Sequence, residues 1–222
     1  LRHICRPIQI KKVFMKEEEG AKFNKFLAVD TASAHLTVVA ANGKKAAKRY
    51  LADCALKHSV LLMDEVESAM DEAELSPSDC DFFCAVTGPG SFTGIRIGIS
   101  AAKGFALAAG RPLMPLTSFE LVAYNVNAPD FFAVADAAHA HYYACRVTGG
   151  AFGEPVYISR EELISTGLAL YGFQPLDLPR YTQLNAGDCL YPAVCKKLSS
   201  GSPFGEMHAL YVRKSQAEEG RK

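Results

Sequence analysis

The run Gly88-Pro89-Gly90-Ser91-Phe92-Thr93-Gly94 has the residue types of a loop that cradles a phosphate. An apolar stretch over 82–86 leads into it, and a Pro-free apolar stretch over 95–109 leads out. Strand, glycine turn and helix start bring backbone N–H groups and the positive end of a helix dipole into one concavity, where an anion is favoured. The wording departs from the standard versions. A P-loop needs Lys and then Ser or Thr after its last glycine, and Ile95-Arg96 stand there. A dinucleotide fingerprint needs glycine where Thr93 is found. Ser91 has Pro89 two residues before it, where a nucleophile elbow needs glycine. The turn reads either as a phosphate site or as a structural elbow. Two carboxylates complete the set of candidate chemical groups, Asp30 (followed by Thr31) and Asp136, each closing an apolar run.

Alternating and helical patterns predict the elements that position these groups. Strands are expected over 26–31, 36–41 and 44–51, with Asn42-Gly43 as the hairpin turn. A helix is expected over 56–75, where Leu56, Val60, Met63, Val66, Met70 and Ala73 recur at helical spacing and Asp64, Glu67 and Asp71 fall outside the stripe. The strand over 82–86, the glycine turn, a helix, a strand over 112–116 and a helix capped by Ser118 follow. In the helix after the turn, Gly94, Gly98, Ala102, Ala106 and Gly110 recur every four residues. Such a stripe lets another backbone come close. It fits either a helix seated on its own sheet or an intermolecular helix pair.

The pattern then restarts. Residues 132–141 lie on residues 26–35 without a gap, with Phe, Asp, Ala, Ala and His coinciding, so that Asp136 matches Asp30. A second hairpin runs over 142–147, turns at Gly149-Gly150 and returns over 156–158. This predicts a duplicated α/β chain, two three-stranded meanders each followed by helices, which is the plan of the actin-like ATPase fold. A short capped helix is expected over 159–165, and residues 166–206 carry little periodicity.

Composition narrows the function classes. Lys and Arg total 24 and Asp and Glu total 24, so bulk attraction to nucleic acid is weak. The seven cysteines include no C-x-x-C pair, and the six histidines include no H-E-x-x-H, so no structural zinc or zinc-peptidase site is expected. Reduced thiols and a cytoplasmic location follow. No stretch approaches the roughly 20 apolar residues of a membrane span. Residues 1–24, basic and then acidic with Met15 as an internal start, read as a flexible extension.

Several segments occur together in a known order: Phe26-Leu27-Ala28-Val29-Asp30-Thr31-Ala32, the turn from Gly88 to Gly98, Leu116-Thr117-Ser118-Phe119-Glu120-Leu121, Asp136-Ala137 before Tyr142-Tyr143, and Tyr211-Val212-Arg213-Lys214-Ser215. Together they resemble the bacterial TsaB (YeaZ) proteins, the glycoprotease-like partners of TsaD, over about residues 25–165 and again near 208–216. The resemblance implies an actin-like (ASKHA) fold in two halves, 25–118 and a shortened 119–222. It also implies a role in making threonylcarbamoyladenosine in tRNA, as a non-catalytic subunit that binds and activates a TsaD-type threonylcarbamoyltransferase. A TsaE-type ATPase joins that complex, and tRNA is met only through it. By the same resemblance the helices over 56–75 and 94–109 pair with the partner, or with a second copy as a homodimer. Val60, Met63, Glu67, Met70, Gly94, Gly98, Ala102 and Ala106 are the expected contacts. Asp30, Thr31, Gly88, Gly90, Ser91 and Asp136 form a vestigial nucleotide cleft, with neither metal nor cofactor. His58 lacks the second histidine that TsaD carries four residues on, since Leu62 stands there, and Asp136 is followed by Ala137-Ala138 in place of glycines. The rival readings are an actin-like ATPase or small-molecule kinase and, more remotely, a peptidase.

Overall fold

The computed structural model describes residues 23–201 and 203–212. Two sheets form around one repeated plan. In the first, β1 (Lys25–Asp30), β2 (Leu36–Asn42), β3 (Lys45–Leu51), β4 (Phe82–Val86) and β5 (Leu113–Leu116) lie in the order β3-β2-β1-β4-β5. In the second, β6 (Asp130–Asp136), β7 (His141–Thr148), β8 (Ala151–Phe152), β10 (Ala169–Gly172) and β11 (Tyr181–Gln183) lie in the order β11-β10-β6-β7-β8, with β9 (Val156–Ser159) also paired to β7. Each sheet has an antiparallel hairpin (β1–β2, β6–β7) beside parallel strands (β4 and β5, β10 and β11). The two halves are thus the same motif twice, the actin-like arrangement expected from the repeat. The central strands β1 and β4 are buried on both faces, which is why their sequences are unbroken apolar runs.

Helix α1 (His58–Glu72) turns Leu62, Val66, Ala69 and Met70 inward, and α2 (Phe92–Ala109) turns Ile95, Gly98, Ile99, Ala102 and Ala106 inward, both at helical spacing. The short α3 (Ser118–Ala123) is capped by Thr117 and not by Ser118, which is its first residue. The Thr117 hydroxyl accepts the Glu120 N–H at 3.0 Å, and the Glu120 carboxylate accepts the Thr117 N–H at 2.7 Å. Helix α4 (Arg160–Ser165) carries the same device, Ser159 with Glu162.

Helix α3 packs on the second sheet and α5 (Ala186–Leu198) on the first. Phe119 and Val122 of α3 join Phe131 and Ala133 of β6, while Leu190, Ala193 and Val194 of α5 sit in the core of the first sheet. Residues 203–212 then run back as a strap. Phe204 packs on Phe23 and Phe82, Met207 is buried, and the Leu210 N–H donates to the Thr87 carbonyl at 2.8 Å. Helix α5 and the strap thus tie the C-terminal residues to the first sheet. Residues 1–22 of the expected extension, and Arg213 to Ser215, lie outside the described residues. Phe23 and Asn24, counted with that extension, are held: the Asn24 N–H donates to the Asp81 carboxylate at 2.9 Å.

Candidate functional site

Asp30 ends β1 and is only 2% exposed. One carboxylate oxygen accepts the Ala32 N–H at 2.9 Å and the other lies 3.0 Å from the His35 Nε2. The His35 ring is flanked by Tyr50 and Phe173, each with its ring centroid 6.0 Å away. The His35 carbonyl accepts from Nε2 of buried His58 at 2.9 Å, so that Nε2 carries the proton. The histidine that resembled half a metal site thus ties the start of α1 to the loop after β1.

That same loop fills the glycine turn. The Ser91 N–H donates to the Ala32 carbonyl at 2.7 Å, and the Thr31 hydroxyl donates to the Gly94 carbonyl at 2.7 Å. A Cβ at Gly90 would fall on the Ala32 carbonyl oxygen, and one at Gly94 on the Thr31 carbonyl oxygen. The Gly94 N–H is turned to the Ser91 hydroxyl at 3.2 Å, and Gly88 is covered by the Leu210 carbonyl. The glycines admit the chain's own backbone, the carbonyls of Ala32 and Thr31, into the turn. The loop of Asp30 and Thr31 thus meets Gly90 and Ser91 directly, while Gly88 instead meets Ile95 and Leu210. Asp136 is not part of this contact: it is exposed, accepts the Ala138 N–H at 3.0 Å, and gives its own N–H to the Gln174 side chain at 2.9 Å. The carboxylate-to-residue-plus-two bond recurs at both aspartates, which is the duplication seen at atomic level.

The small-residue stripe is a correction. Gly94, Gly98, Ala102 and Ala106 are buried, and a Cβ at Gly98 would stand 2.5 Å from the hydroxyl oxygen of Thr31, just past β1. Met70 is buried as well. These five residues seat α1 and α2 on their own sheet, so they cannot present a surface to a partner. The open side of the two helices is different. Val60 is 72% exposed and Met63 and Phe92 are each 46% exposed, with Glu67 also outside. Between the helices runs a groove of about 530 Å³ lined by Leu62, Met63, Phe92, Arg96, Ile97 and Ala101 among others. Three large apolar side chains are thus left in water on adjoining helices. The groove was missed because the sequence reading placed the contacts on the smallest residues. Of the expected contacts on α1 only Met63 lines it, while Val60 and Glu67 are exposed beside it on the same helix.

The thiols of Cys80, Cys84 and Cys189 are buried away from solvent. Burial pushes the Cys80 thiol up to about 12, with Asp79 and Asp81 adding to it, and burial followed by Asp188 does the same for Cys189. Burial likewise raises Cys84. At pH 8 a thiol of pKa 12 is ionised to roughly one part in ten thousand. Iodoacetamide at pH 8 should therefore leave Cys80, Cys84 and Cys189 unlabelled in the native protein and label them in denaturant, as read by peptide mass spectrometry. Labelling of Cys84 in the native protein would contradict its burial.

Among the described residues no helix is long and apolar enough to cross a membrane. The family model described as TsaD, tRNA N6-adenosine threonylcarbamoyltransferase, matches residues 52–169, just over half of the chain. The tRNA threonylcarbamoyladenosine biosynthesis protein TsaB of Bacillus subtilis is 31% identical over 99 residues, 45% of this chain and 43% of that protein. TsaB of Escherichia coli is 30% identical over 123 residues, 54% of this chain and 53% of that protein. The chain thus spans about half the length of the curated relatives it matches. The solved structure of YeaZ from Pseudomonas aeruginosa superimposes with a TM-score of 0.70 at 20% identity, over 85% of this chain and 100% of that one, which shows the shared fold. With the duplicated sheets, the Gly-Pro-Gly-Ser-Phe-Thr-Gly turn and these relatives in agreement, the chain belongs to the TsaD family and, within it, to the TsaB (YeaZ) group.

Proposed function

We propose that the chain is a non-catalytic subunit in tRNA threonylcarbamoyladenosine formation, binding and activating a TsaD-type threonylcarbamoyltransferase through the outer face of α1 and α2. One observation carries this reading. The cleft is packed by its own backbone at Gly90 and Gly94, while the helices beside it leave Val60, Met63 and Phe92 in water. A chain that fills its nucleotide turn and exposes an apolar helix face is built to dock. The names of its Bacillus and Escherichia relatives supply the pathway. In this reading a TsaE-type ATPase joins the complex, and a second copy uses the same helices when the partner is absent. The acidic residues of α1 keep tRNA phosphates from binding this face directly. The complex works in the cytoplasm, residues 1–24 precede its first half, 25–118, and 119–222 form the second.

The test is co-purification with the TsaD-type protein of the same organism. Val60→Asp and Met63→Asp should each weaken the complex roughly a hundredfold, because docking would bury an unpaired carboxylate. Neither should shift the melting temperature by more than a few degrees, since both side chains are already exposed. Wild-type protein that does not co-purify, or variants that bind as wild type, would end this reading. The rival, an actin-like ATPase or kinase, is favoured only by the paired turns at Asp30 and Asp136. It requires that ATP with magnesium bind at low micromolar concentration.

A further inference from the structure

Arg96 stands at the rim of the α1–α2 groove, exposed but not loose. Its Nε donates to the Tyr211 hydroxyl at 3.0 Å, and its guanidinium carbon lies 3.8 Å from the Phe92 ring centroid. The Phe92 and Tyr211 rings stack with centroids 5.4 Å apart. Tyr211 is fixed in turn, because the neighbouring Leu210 bonds the Thr87 carbonyl at the end of the strap. An exposed arginine ordinarily samples many rotamers, and ordering it weakens any contact it makes. Here the ordering has been done within the fold. The Nε edge is taken, and among the described residues no group occupies either terminal nitrogen. What remains is a planar two-donor fork held beside apolar Met63 and Phe92, the geometry that matches a carboxylate.

We infer that Arg96 is the specificity-determining residue of this face, and that it receives an Asp or Glu side chain of the TsaD-type partner. The inference rests on the partner-subunit reading above and adds the chemistry that selects the partner. Charge complementarity argues for a protein carboxylate over an RNA phosphate, since Asp64, Glu67 and Asp71 are exposed on the adjoining helix and repel a polyanion. Tyr211 is a positioning residue, acting through Arg96.

The experiment measures affinity of the full-length chain for the TsaD-type protein of the same organism, with Arg96→Ala, Arg96→Lys and Tyr211→Phe. Loss of one charge-assisted contact predicts roughly 10- to 100-fold weaker binding for Arg96→Ala. Arg96→Lys should lose nearly as much, because a point charge cannot reproduce the fork. Tyr211→Phe keeps the ring stack, removes only the hydroxyl, and should weaken binding a few-fold; it also serves if Arg96→Ala folds poorly. An Asp- or Glu-to-Arg change in the partner that restores binding to Arg96→Glu would identify the carboxylate. Full affinity in Arg96→Ala, or in Arg96→Lys, overturns the inference and leaves the docking function standing. A wild-type chain that does not bind the paralogue overturns both. If Arg96→Ala alters only self-association in sedimentation, or only retention of added tRNA, the carboxylate belongs to a second copy or the ligand is a phosphate, and the inference is again wrong.

Discussion

Gly94→Ala should lower the melting temperature by roughly 6–12 °C, a single methyl group costing as much as many deletions of a buried side chain. The added carbon would fall on the Thr31 carbonyl oxygen, which is backbone and cannot swing aside. Overpacking against side chains typically costs about 1–3 kcal/mol. With backbone as the obstacle, α2 must shift away from β1, which places the cost at about 3 kcal/mol or more. The shift would also strain the Thr31 hydroxyl bond to the Gly94 carbonyl, now 2.7 Å. Gly98→Leu should act in the same direction, since its Cβ meets the Thr31 hydroxyl oxygen at 2.5 Å and the longer side chain continues toward Val29. Thermal unfolding checks both. Variants that keep the wild-type melting temperature and lose only their partner would mean that the stripe faces outward after all. This prediction reverses what a purely intermolecular stripe requires, which is loss of the complex in a stable protein.

That reversal marks the limit of what the sequence could tell. The four-residue recurrence of Gly94, Gly98, Ala102 and Ala106 announces that a backbone comes close, but periodicity carries the spacing and not the identity of the neighbour. At Gly94 and Gly98 the neighbour is Thr31, just past the end of β1 and 63 residues before Gly94, and nothing local to α2 says so. The doubled hairpin was legible because each copy is an apolar run that closes on the same Asp, although the second hairpin is one residue tighter, Asp136 facing Tyr142 where Asp30 faces Thr37. Helix α5 was not legible, although Ala186, Cys189, Leu190, Ala193 and Val194 are inward at helical spacing. Pro192 sits inside it on an exposed position, and a proline in an otherwise helical window argues for a break. The helix survives because its buried face is packed under the first sheet. The docking residues were half legible for a related reason. Val60 and Met63 look like any apolar pair on a helix until burial separates them from Val66 and Met70.

Asp30→Ala should reveal itself as a stability mutant and not as a catalytic one. The carboxylate holds two buried groups, the Ala32 N–H and the His35 ring. Truncation orphans both, and a buried polar group left unpaired costs about 1–3 kcal/mol. A total of about 3 kcal/mol lowers the melting temperature by roughly 6–12 °C in a chain of this size. The damage should spread, because His35 also anchors His58 at the start of α1 through its carbonyl. Asp30→Asn separates the two interpretations of this residue. Its amide oxygen can still accept from Ala32, and its NH2 can donate to the His35 Nε2 when that nitrogen is unprotonated, so most of the stability should return. A cleft aspartate that served a nucleotide would behave in the opposite way. Asparagine would abolish binding while leaving the fold as stable as before, since the group would have faced a ligand and not the protein. Thermal unfolding of wild type, Asp30→Ala and Asp30→Asn, beside calorimetric titration of each with ATP and magnesium, decides the matter. Wild-type binding of about −8 kcal/mol or tighter, lost equally in both variants without a change in melting temperature, would make the chain an actin-like ATPase. A large drop in melting temperature for alanine, its recovery in asparagine and no such binding in any of the three would leave Asp30 as a buried tie between β1, the glycine turn and α1.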